Sequence, residues 1–134
     1  MSETGETLAR YTGSCHCGRV TFCLQSPPSV EVERCNCSIC SKSGFLHLIV
    51  PRSRFELASG EQALTTYRFN TGVAKHYFCR HCGIKPFYVP RSNPDGMDIN
   101  LNCLDRQPET VTIVEFDGQN WEKNAASLAH KSRE

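Results

Sequence analysis

Three cysteines within six residues form the stretch of the chain best suited to chemistry. Cys35, Cys37 and Cys40 follow the pattern C-x-C-x-x-C, and side chains spaced so closely can converge on one point without help from distant segments. Thiolates are typical ligands of zinc, which takes four ligands in a tetrahedron. Three protein ligands leave one position open, and an open position is what a catalytic zinc keeps. The stretch therefore predicts a catalytic zinc on these three cysteines.

Two further cysteine pairs, far apart in the chain, each supply half of a closed site. Cys79 and Cys82 form a C-x-x-C turn followed by a glycine, and Cys15 and Cys17 form a C-x-C turn followed by another glycine. Each pair needs two more ligands. The simplest partition puts all four cysteines on one structural zinc, which ties the N-terminal turn to the middle of the chain and adds free energy to folding.

An alternative interpretation makes Cys35, Cys37 and Cys40, hereafter the cysteine triad, a second closed and purely structural site. Three-plus-one ligand sets are common among structural zincs. The fourth ligand would then come from a histidine or from a cysteine outside the clusters: His16, His47, His76, His81, Cys23 or Cys103.

Composition favours metal over disulfides. The nine cysteines are an odd number, and the polar, acidic start of the chain lacks the apolar stretch of a secretory signal. We therefore expect a cytoplasmic protein with reduced thiols. The 15 basic and 14 acidic side chains give a net charge of +1, which provides no electrostatic attraction to nucleic acid or to an anionic membrane. Neither is expected as a partner, and no apolar window is long enough to span a bilayer.

An open zinc with three thiolates has a definite chemistry. The centre carries a net charge of about −1, so it activates water weakly but binds a soft ligand such as a thiol. A thiol bound there is deprotonated. A small thiol is therefore the natural substrate. The reactions within reach are attack of the thiolate on a carbonyl and the reverse, collapse of a thiohemiacetal to thiol and aldehyde.

Short apolar or alternating stretches, separated by glycine and proline, predict one mainly β domain over 1–134, a sandwich or an opened barrel with its core at about 8–116 and flexible termini. Pro86 interrupts the strand predicted at 84–89, which indicates an edge strand or a bulge. Residues 70–72 predict a hairpin turn. Asn120 is placed to cap a short helix at 121–128, and residues 130–134 are expected to fray. The other clear strand candidates are 19–24, 30–33, 45–50, 64–69, 97–104 and 111–114.

The order of the cysteine motifs resembles that of a known family. CHCG at 15–18, CNCSIC at 35–40 and CRHCG at 79–83 follow one another as they do in the glutathione-dependent formaldehyde-activating enzyme family. Segments 13–18, 69–71, 90–94 and 103–105 agree as well, and look most like the branch that contains centromere protein V. The resemblance runs from about residue 11 to residue 105, and less clearly to residue 121. Three motifs in order make it specific.

This resemblance implies a β-tent fold of layered antiparallel sheets with two zinc ions per chain. It places a structural zinc on Cys15, Cys17, Cys79 and Cys82, and a catalytic zinc with an exchangeable fourth ligand on Cys35, Cys37 and Cys40. The implied reaction joins glutathione and formaldehyde to S-hydroxymethylglutathione, which makes the protein a carbon–sulfur lyase when the reaction is written in reverse.

Glutathione, or a similar small thiol, and a small aldehyde are accordingly the expected partners. Either His47 or solvent would handle the hydroxyl proton. The alternative function is a non-catalytic zinc module that binds a thiol metabolite or a protein partner. Basic side chains should meet the two carboxylates of glutathione, and the candidates are Lys42, Arg52, Arg54, Arg68, Lys75 and Arg91.

Overall fold

A computed structural model describes residues 7–69 and 72–132. Within these residues lie ten strands: β1 Ala9–Ser14, β2 Thr21–Ser26, β3 Ser29–Cys35, β4 Leu46–Pro51, β5 Phe55–Ser59, β6 Leu64–Tyr67, β7 Lys75–Cys79, β8 Phe87–Val89, β9 Gly96–Asn100 and β10 Thr110–Phe116. They also contain two short helices, α1 Ser38–Ser43 and α2 Trp121–Asn124, and 3₁₀ turns at Arg52–Arg54, Glu61–Ala63, Leu101–Cys103, Gly118–Asn120 and Ala125–Ser132. The prediction of a mainly β protein with layered sheets and a short C-terminal helix is confirmed.

The strands form two sheets. The smaller has the order β1-β2-β5, and the larger has the order β10-β3-β4-β9-β8-β7-β6. Neighbouring strands run antiparallel except β3 and β10, which run parallel over their whole length. Because β10 returns beside β3 in the same direction, its end arrives next to the end of β3, where the cysteine triad begins.

The hydrophobic core lies between the two sheets. Phe22 of the small sheet packs against Phe87 of the large one, with ring centroids 5.6 Å apart, and stacks on Phe55 at 5.9 Å. Side chains of the large sheet alternate between its two faces. Val50 and Ile99 are among those that point into this core and are buried.

The opposite face of the large sheet carries buried polar side chains. Strand register places Ile49, Asp98, Tyr88 and His76 in one row across β4, β9, β8 and β7. His47 lies two residues before Ile49 on the same face. Because buried polar groups are costly unless they are satisfied, a row of them on a central sheet marks a site rather than a core.

Pro86 does not mark an edge strand, contrary to expectation. It lies immediately before β8, which pairs with β7 on one side and β9 on the other. Proline is excluded from the middle of a sheet because it lacks a donor N–H. Here the ladder begins one residue later, and the Pro86 carbonyl accepts a hydrogen bond of 2.9 Å from the Asn100 N–H.

The C-terminal segment differs from expectation in two ways. Asn120 precedes α2, but its side chain makes no capping bond and donates instead to Asp117 Oδ2 at 2.6 Å. Residues up to Ser132 are packed rather than frayed, because Ser132 is buried and Asn93 Nδ2 donates to its hydroxyl at 3.0 Å. Of the turn predicted at 70–72, residues 70 and 71 lie outside the described residues.

Among the helices of the described residues, none is long and apolar enough to cross a membrane.

Candidate active site

The cysteine triad is assembled by the end of one strand and the start of one helix. Cys35 ends β3, Cys37 is the N-cap residue of α1, and Cys40 lies inside the helix. The Ser41 N–H donates to the Cys37 carbonyl at 2.9 Å, which closes the first turn. The three sulfur atoms lie within 4.8 Å of one another. Only local turns are needed to bring them together, as the spacing predicts.

A second segment closes over the triad from the end of β10. Gln119 donates its backbone N–H to Asn36 Oδ1 at 2.9 Å, and Asn36 Nδ2 donates to Asp117 Oδ1 at 3.2 Å. These bonds press Gly118 against the cysteines. A Cβ atom on Gly118 would overlap Cys35 Sγ and lie 3.0 Å from Cys37 Cβ, so any other residue at this position would displace the Cys35 sulfur.

The crowding of three thiols favours negative charge at the triad. Side-chain hydrogen bonds from Cys35 and then Cys40 lower the pKa of Cys37 to about 2. The hydrogen bond with Cys37 is the main cause that raises the pKa of Cys35, and the hydrogen bond with Cys35 is the main cause that raises the pKa of Cys40. One sulfur is therefore ionised, and the other two remain protonated and donate hydrogen bonds to it. A cation at the centre would replace those protons, which is the behaviour of a thiolate metal site.

The second cluster joins residues more than sixty positions apart. The sulfur atoms of Cys15, Cys17, Cys79 and Cys82 lie within 4.8 Å of one another. Cys17 Sγ is 3.6 Å from Cys15 Sγ and 3.7 Å from Cys79 Sγ. Burial raises the pKa of Cys15 to about 11, whereas hydrogen bonds from the backbone and side chain of Arg19 lower that of Cys17 to about 6. Four sulfurs complete a tetrahedron, so this donor set fits a closed zinc.

A cavity of about 440 Å³ adjoins the triad. Its volume lies within the range of about 300–1,000 Å³ that is usual for small-molecule sites. The polar row of the large sheet forms one wall, and the C-terminal helical segment forms another. Residues that line it include Glu33, Cys35, Cys37, Cys40, His47, Ile49, Phe69, His76, Tyr88, Arg91, Asp98, Trp121 and Leu128.

Two buried histidines stand in the sheet wall of this cavity. His47 Nδ1 lies 2.6 Å from Asp98 Oδ2, and both side chains are almost inaccessible to solvent. His76 Nδ1 lies 2.7 Å from Lys85 Nζ. The Nε2 atoms of both histidines are buried without a hydrogen-bond partner, which is unusual because buried polar atoms are normally paired.

Lys85 is a half-buried cation beside the triad. Its ammonium lies 3.8 Å from the centroid of the Tyr88 ring and 4.9 Å from that of Phe45. Burial lowers the pKa of Lys85 to about 8, although the negative charges of Cys40, Asp98 and Cys37 act in the opposite direction. Burial, and then the charge of Lys85, lower the pKa of His76 to about 4. At neutral pH the pair is therefore an ammonium next to a neutral imidazole.

Comparison with known proteins identifies the family. The sequence model described as "Glutathione-dependent formaldehyde-activating enzyme" matches residues 10–121. The chain belongs to this family. A protein of Halomonas elongata, provisionally named a glutathione-dependent formaldehyde-activating enzyme, is 27% identical over 122 residues that cover 81% of this chain and 77% of the relative. A crystal structure of a Rhodobacter sphaeroides protein matches with a TM-score of 0.63 at 33% identity, covering 77% of this chain and 99% of that one.

The resemblance read from the cysteine motifs is thereby confirmed at the level of the glutathione-dependent formaldehyde-activating family. The segment matched by the family model contains all seven clustered cysteines and the residues that line the cavity up to Trp121. The closer likeness to the branch of centromere protein V stays a prediction.

The structure places the candidate fourth ligands outside the triad. Within the described residues, the group of mutually close ligand atoms around Cys35 comprises that residue, Cys37 and Cys40 alone. None of the six candidates joins it: His16, His47, His76, His81, Cys23 and Cys103. Two of them, His47 and His76, line the adjoining cavity.

Arg91 is the basic candidate that reaches the cavity. Its guanidinium carbon lies 3.8 Å from the centroid of the Trp121 ring, and it forms an ion pair with Glu122. The other five candidates do not line the cavity: Lys42, Arg52, Arg54, Arg68 and Lys75. Sequence reasoning missed Asp98, Tyr88, Lys85 and Gly118, although the alternation of Asp98 and Asn100 with apolar neighbours indicates a polar face.

Proposed function

We propose that this protein is a zinc-dependent carbon–sulfur lyase that acts on adducts of glutathione, or a similar thiol, with formaldehyde or a related small aldehyde. The observation that carries the proposal is a three-cysteine cluster that faces a cavity of small-molecule size and has no fourth protein ligand among the described residues. Family membership supports the choice of thiol and aldehyde.

The two cysteine clusters would hold two zinc ions per chain. Cys15, Cys17, Cys79 and Cys82 suit a structural ion, and Cys35, Cys37 and Cys40 suit a catalytic one, because their sulfurs converge and the three residues line the cavity. Zinc held by the triad would keep a substrate thiol in its deprotonated form. None of the nine cysteines forms a disulfide, which favours the reducing cytoplasm as the location.

The protein's own residues would bind and orient the adduct. In the lyase direction the bond between sulfur and the hydroxymethyl carbon breaks. The electron pair stays on sulfur, the hydroxyl oxygen becomes the aldehyde oxygen, and the hydroxyl proton leaves. Arg91 would meet a carboxylate of the thiol substrate at the cavity wall, because it lines the cavity and stacks on Trp121. The substrate carboxylate would replace the exposed Glu122 as its ion-pair partner.

The proposal is tested by mixing glutathione and formaldehyde with zinc-loaded protein. We expect the adduct to form faster than it does spontaneously, and Cys37→Ser to abolish the gain. Cys23→Ser is the matched control, because Cys23 is a half-buried cysteine outside both clusters and its loss should leave the rate unchanged. A zinc-saturated wild-type protein that gives no acceleration would refute the lyase.

A chelator separates the lyase from a non-catalytic zinc module. An ion held by three protein ligands should be removed before one held by four. Two closed sites should instead lose their zinc together.

A further inference from the structure

The unpaired Nε2 atoms of His47 and His76 are the feature of the cavity that metal binding does not explain. Both histidines are 4% exposed and both line the cavity beside the triad. Each is fixed through its Nδ1 atom by a different kind of partner. The chemical nature of those partners determines which Nε2 carries a proton.

His47 is fixed by a carboxylate. Asp98 is 1% exposed, and its Oδ2 lies 2.6 Å from His47 Nδ1. An ionised carboxylate only accepts hydrogen bonds, so His47 Nδ1 carries the hydrogen and donates it. In the neutral ring the lone pair is then on Nε2. His47 therefore offers a hydrogen-bond acceptor and a base to the cavity. The Tyr88 hydroxyl is a more distant neighbour of the same Nδ1, at 3.3 Å.

His76 is fixed by an ammonium, which has the opposite effect. A charged lysine has three donors and no acceptor, so the 2.7 Å contact requires Lys85 Nζ to donate and His76 Nδ1 to accept. The hydrogen of the neutral ring must then lie on Nε2. His76 therefore offers a hydrogen-bond donor to the cavity.

Both rings contact Tyr88. The His76 ring stacks on it at 4.8 Å between centroids with an angle of 11°, and the His47 ring meets it edge-on at 5.8 Å. One wall of the cavity thus carries an acceptor and a donor on two rings that both contact Tyr88. A hydroxyl group is the ligand that matches both, because it donates one hydrogen bond and accepts others.

We propose that His47 and His76 form a hydroxyl-recognition pair, in which His47 Nε2 accepts the hydroxyl proton of a hemithioacetal and His76 Nε2–H donates to its oxygen. This inference rests on the proposed lyase. As the carbon–sulfur bond breaks, the O–H electrons form the carbonyl, sulfur leaves with its bonding pair, and the proton moves to His47. The reverse reaction returns that proton to the oxygen. Substrates would be hydroxyl-bearing thiol adducts of aldehydes, and S-alkyl thioethers of the same thiol, which lack the hydroxyl, would be inert.

Nitrogen NMR of the histidine rings tests the pair without reference to activity. The zinc-loaded full chain, labelled with ¹⁵N, is measured at pH 7 with long-range proton–nitrogen spectra, and His47→Gln and His76→Gln assign the signals. We expect the hydrogen on Nδ1 of His47 and on Nε2 of His76. Identical tautomers in the two rings, or exchange between tautomers in either ring, would overturn the pair.

Kinetics separates a base from a merely structural histidine. His47→Gln keeps a hydrogen-bonding group but cannot take up a proton, so kcat should fall by roughly 10²-fold or more with KM little changed, as is typical of a lost general base. Asp98→Asn should lower kcat similarly, because an amide can donate to Nδ1 and reverse the tautomer, and its nitrogen spectrum should show that reversal. His130→Gln alters an exposed ring outside this cavity and should have no effect.

The outcomes distinguish the two proposals. If the wild-type protein is a lyase and His47→Gln retains its kcat, the hydroxyl pair is wrong and the lyase stands. If the wild-type protein shows no lyase activity, the lyase is wrong and the proton transfer fails with it, even where the tautomers agree.

Discussion

Gly118→Ala perturbs the cysteine triad without removing a ligand. The added methyl group would overlap Cys35 Sγ, and ordinary contact requires at least 3.4 Å. The sulfur would therefore have to retreat by about 1 Å. Zinc–sulfur distances tolerate deviations of only about 0.2 Å. If each cysteine cluster holds one zinc ion, as proposed, we expect the variant to lose the ion of the triad, so that the zinc content falls from about two to about one per chain.

The turn that carries Gly118 is not free to move away instead. Asn36 holds Asp117 and Gln119 on either side of it, and overpacking of this kind costs about 1–3 kcal/mol. Elemental analysis gives the zinc content, and urea unfolding gives the stability. Gly72→Ala is the control, since its φ of 71° makes alanine strained by about 1–2 kcal/mol, while, among the described residues beyond its chain neighbours, no atom lies within 4 Å of the new Cβ.

Gly72→Ala should therefore lose stability but keep both zinc ions. A Gly118→Ala protein that retains two zinc ions with unchanged affinity would refute the steric reasoning and the assignment of the triad as a zinc site.

Three further predictions concern stability. Cys79→Ser removes a fully buried sulfur of the four-cysteine cluster, so one zinc and at least about 3 kcal/mol of stability should be lost, as measured by metal analysis and urea unfolding. His76 has a folded pKa of about 4 against 6.5 for the free group, so the unfolded chain binds its proton first and stability falls as the pH drops from 6.5 toward 4. At about 1.4 kcal/mol per pH unit, the free energy of unfolding falls by about 3 kcal/mol over this range. His76→Gln should remove this part of the pH dependence, and an unchanged slope of the free energy of unfolding against pH would contradict the prediction. Lys131→Met leaves the buried Glu33 carboxylate without its ammonium partner, 2.8 Å away, so the free energy of unfolding should fall by about 3 kcal/mol. Lys123→Met, at an exposed position, is the control and should change the free energy of unfolding by less than about 0.5 kcal/mol.

Local spacing explains why the convergence of the cysteines into two clusters could be predicted. Cys35, Cys37 and Cys40 converge through one strand end and one helical turn, and turns of that kind are encoded by neighbouring residues. The four-cysteine cluster joins distant segments, yet each half is a C-x-C or C-x-x-C turn that needs two more ligands, so counting ligands suffices to pair them. The mainly β architecture followed from short alternating stretches for the same local reason.

The cavity wall could not be predicted because it depends on strand register. Asp98 meets His47 only because β9 pairs with β4, and Lys85 meets His76 only because β8 pairs with β7. Nothing within either segment specifies that pairing. The role of Gly118 depends likewise on the return of β10 beside β3. The α1 helix was missed because six residues are too few to show a helical period.

The measurement that tests the central claim most directly is lyase activity as a function of zinc added to metal-free, reduced protein. The account predicts that the first equivalent fills the four-cysteine cluster and stabilises the fold without activity, and that activity rises with the second equivalent, which fills the triad. Full activity after the first equivalent, in protein whose cysteine triad remains empty, would contradict it.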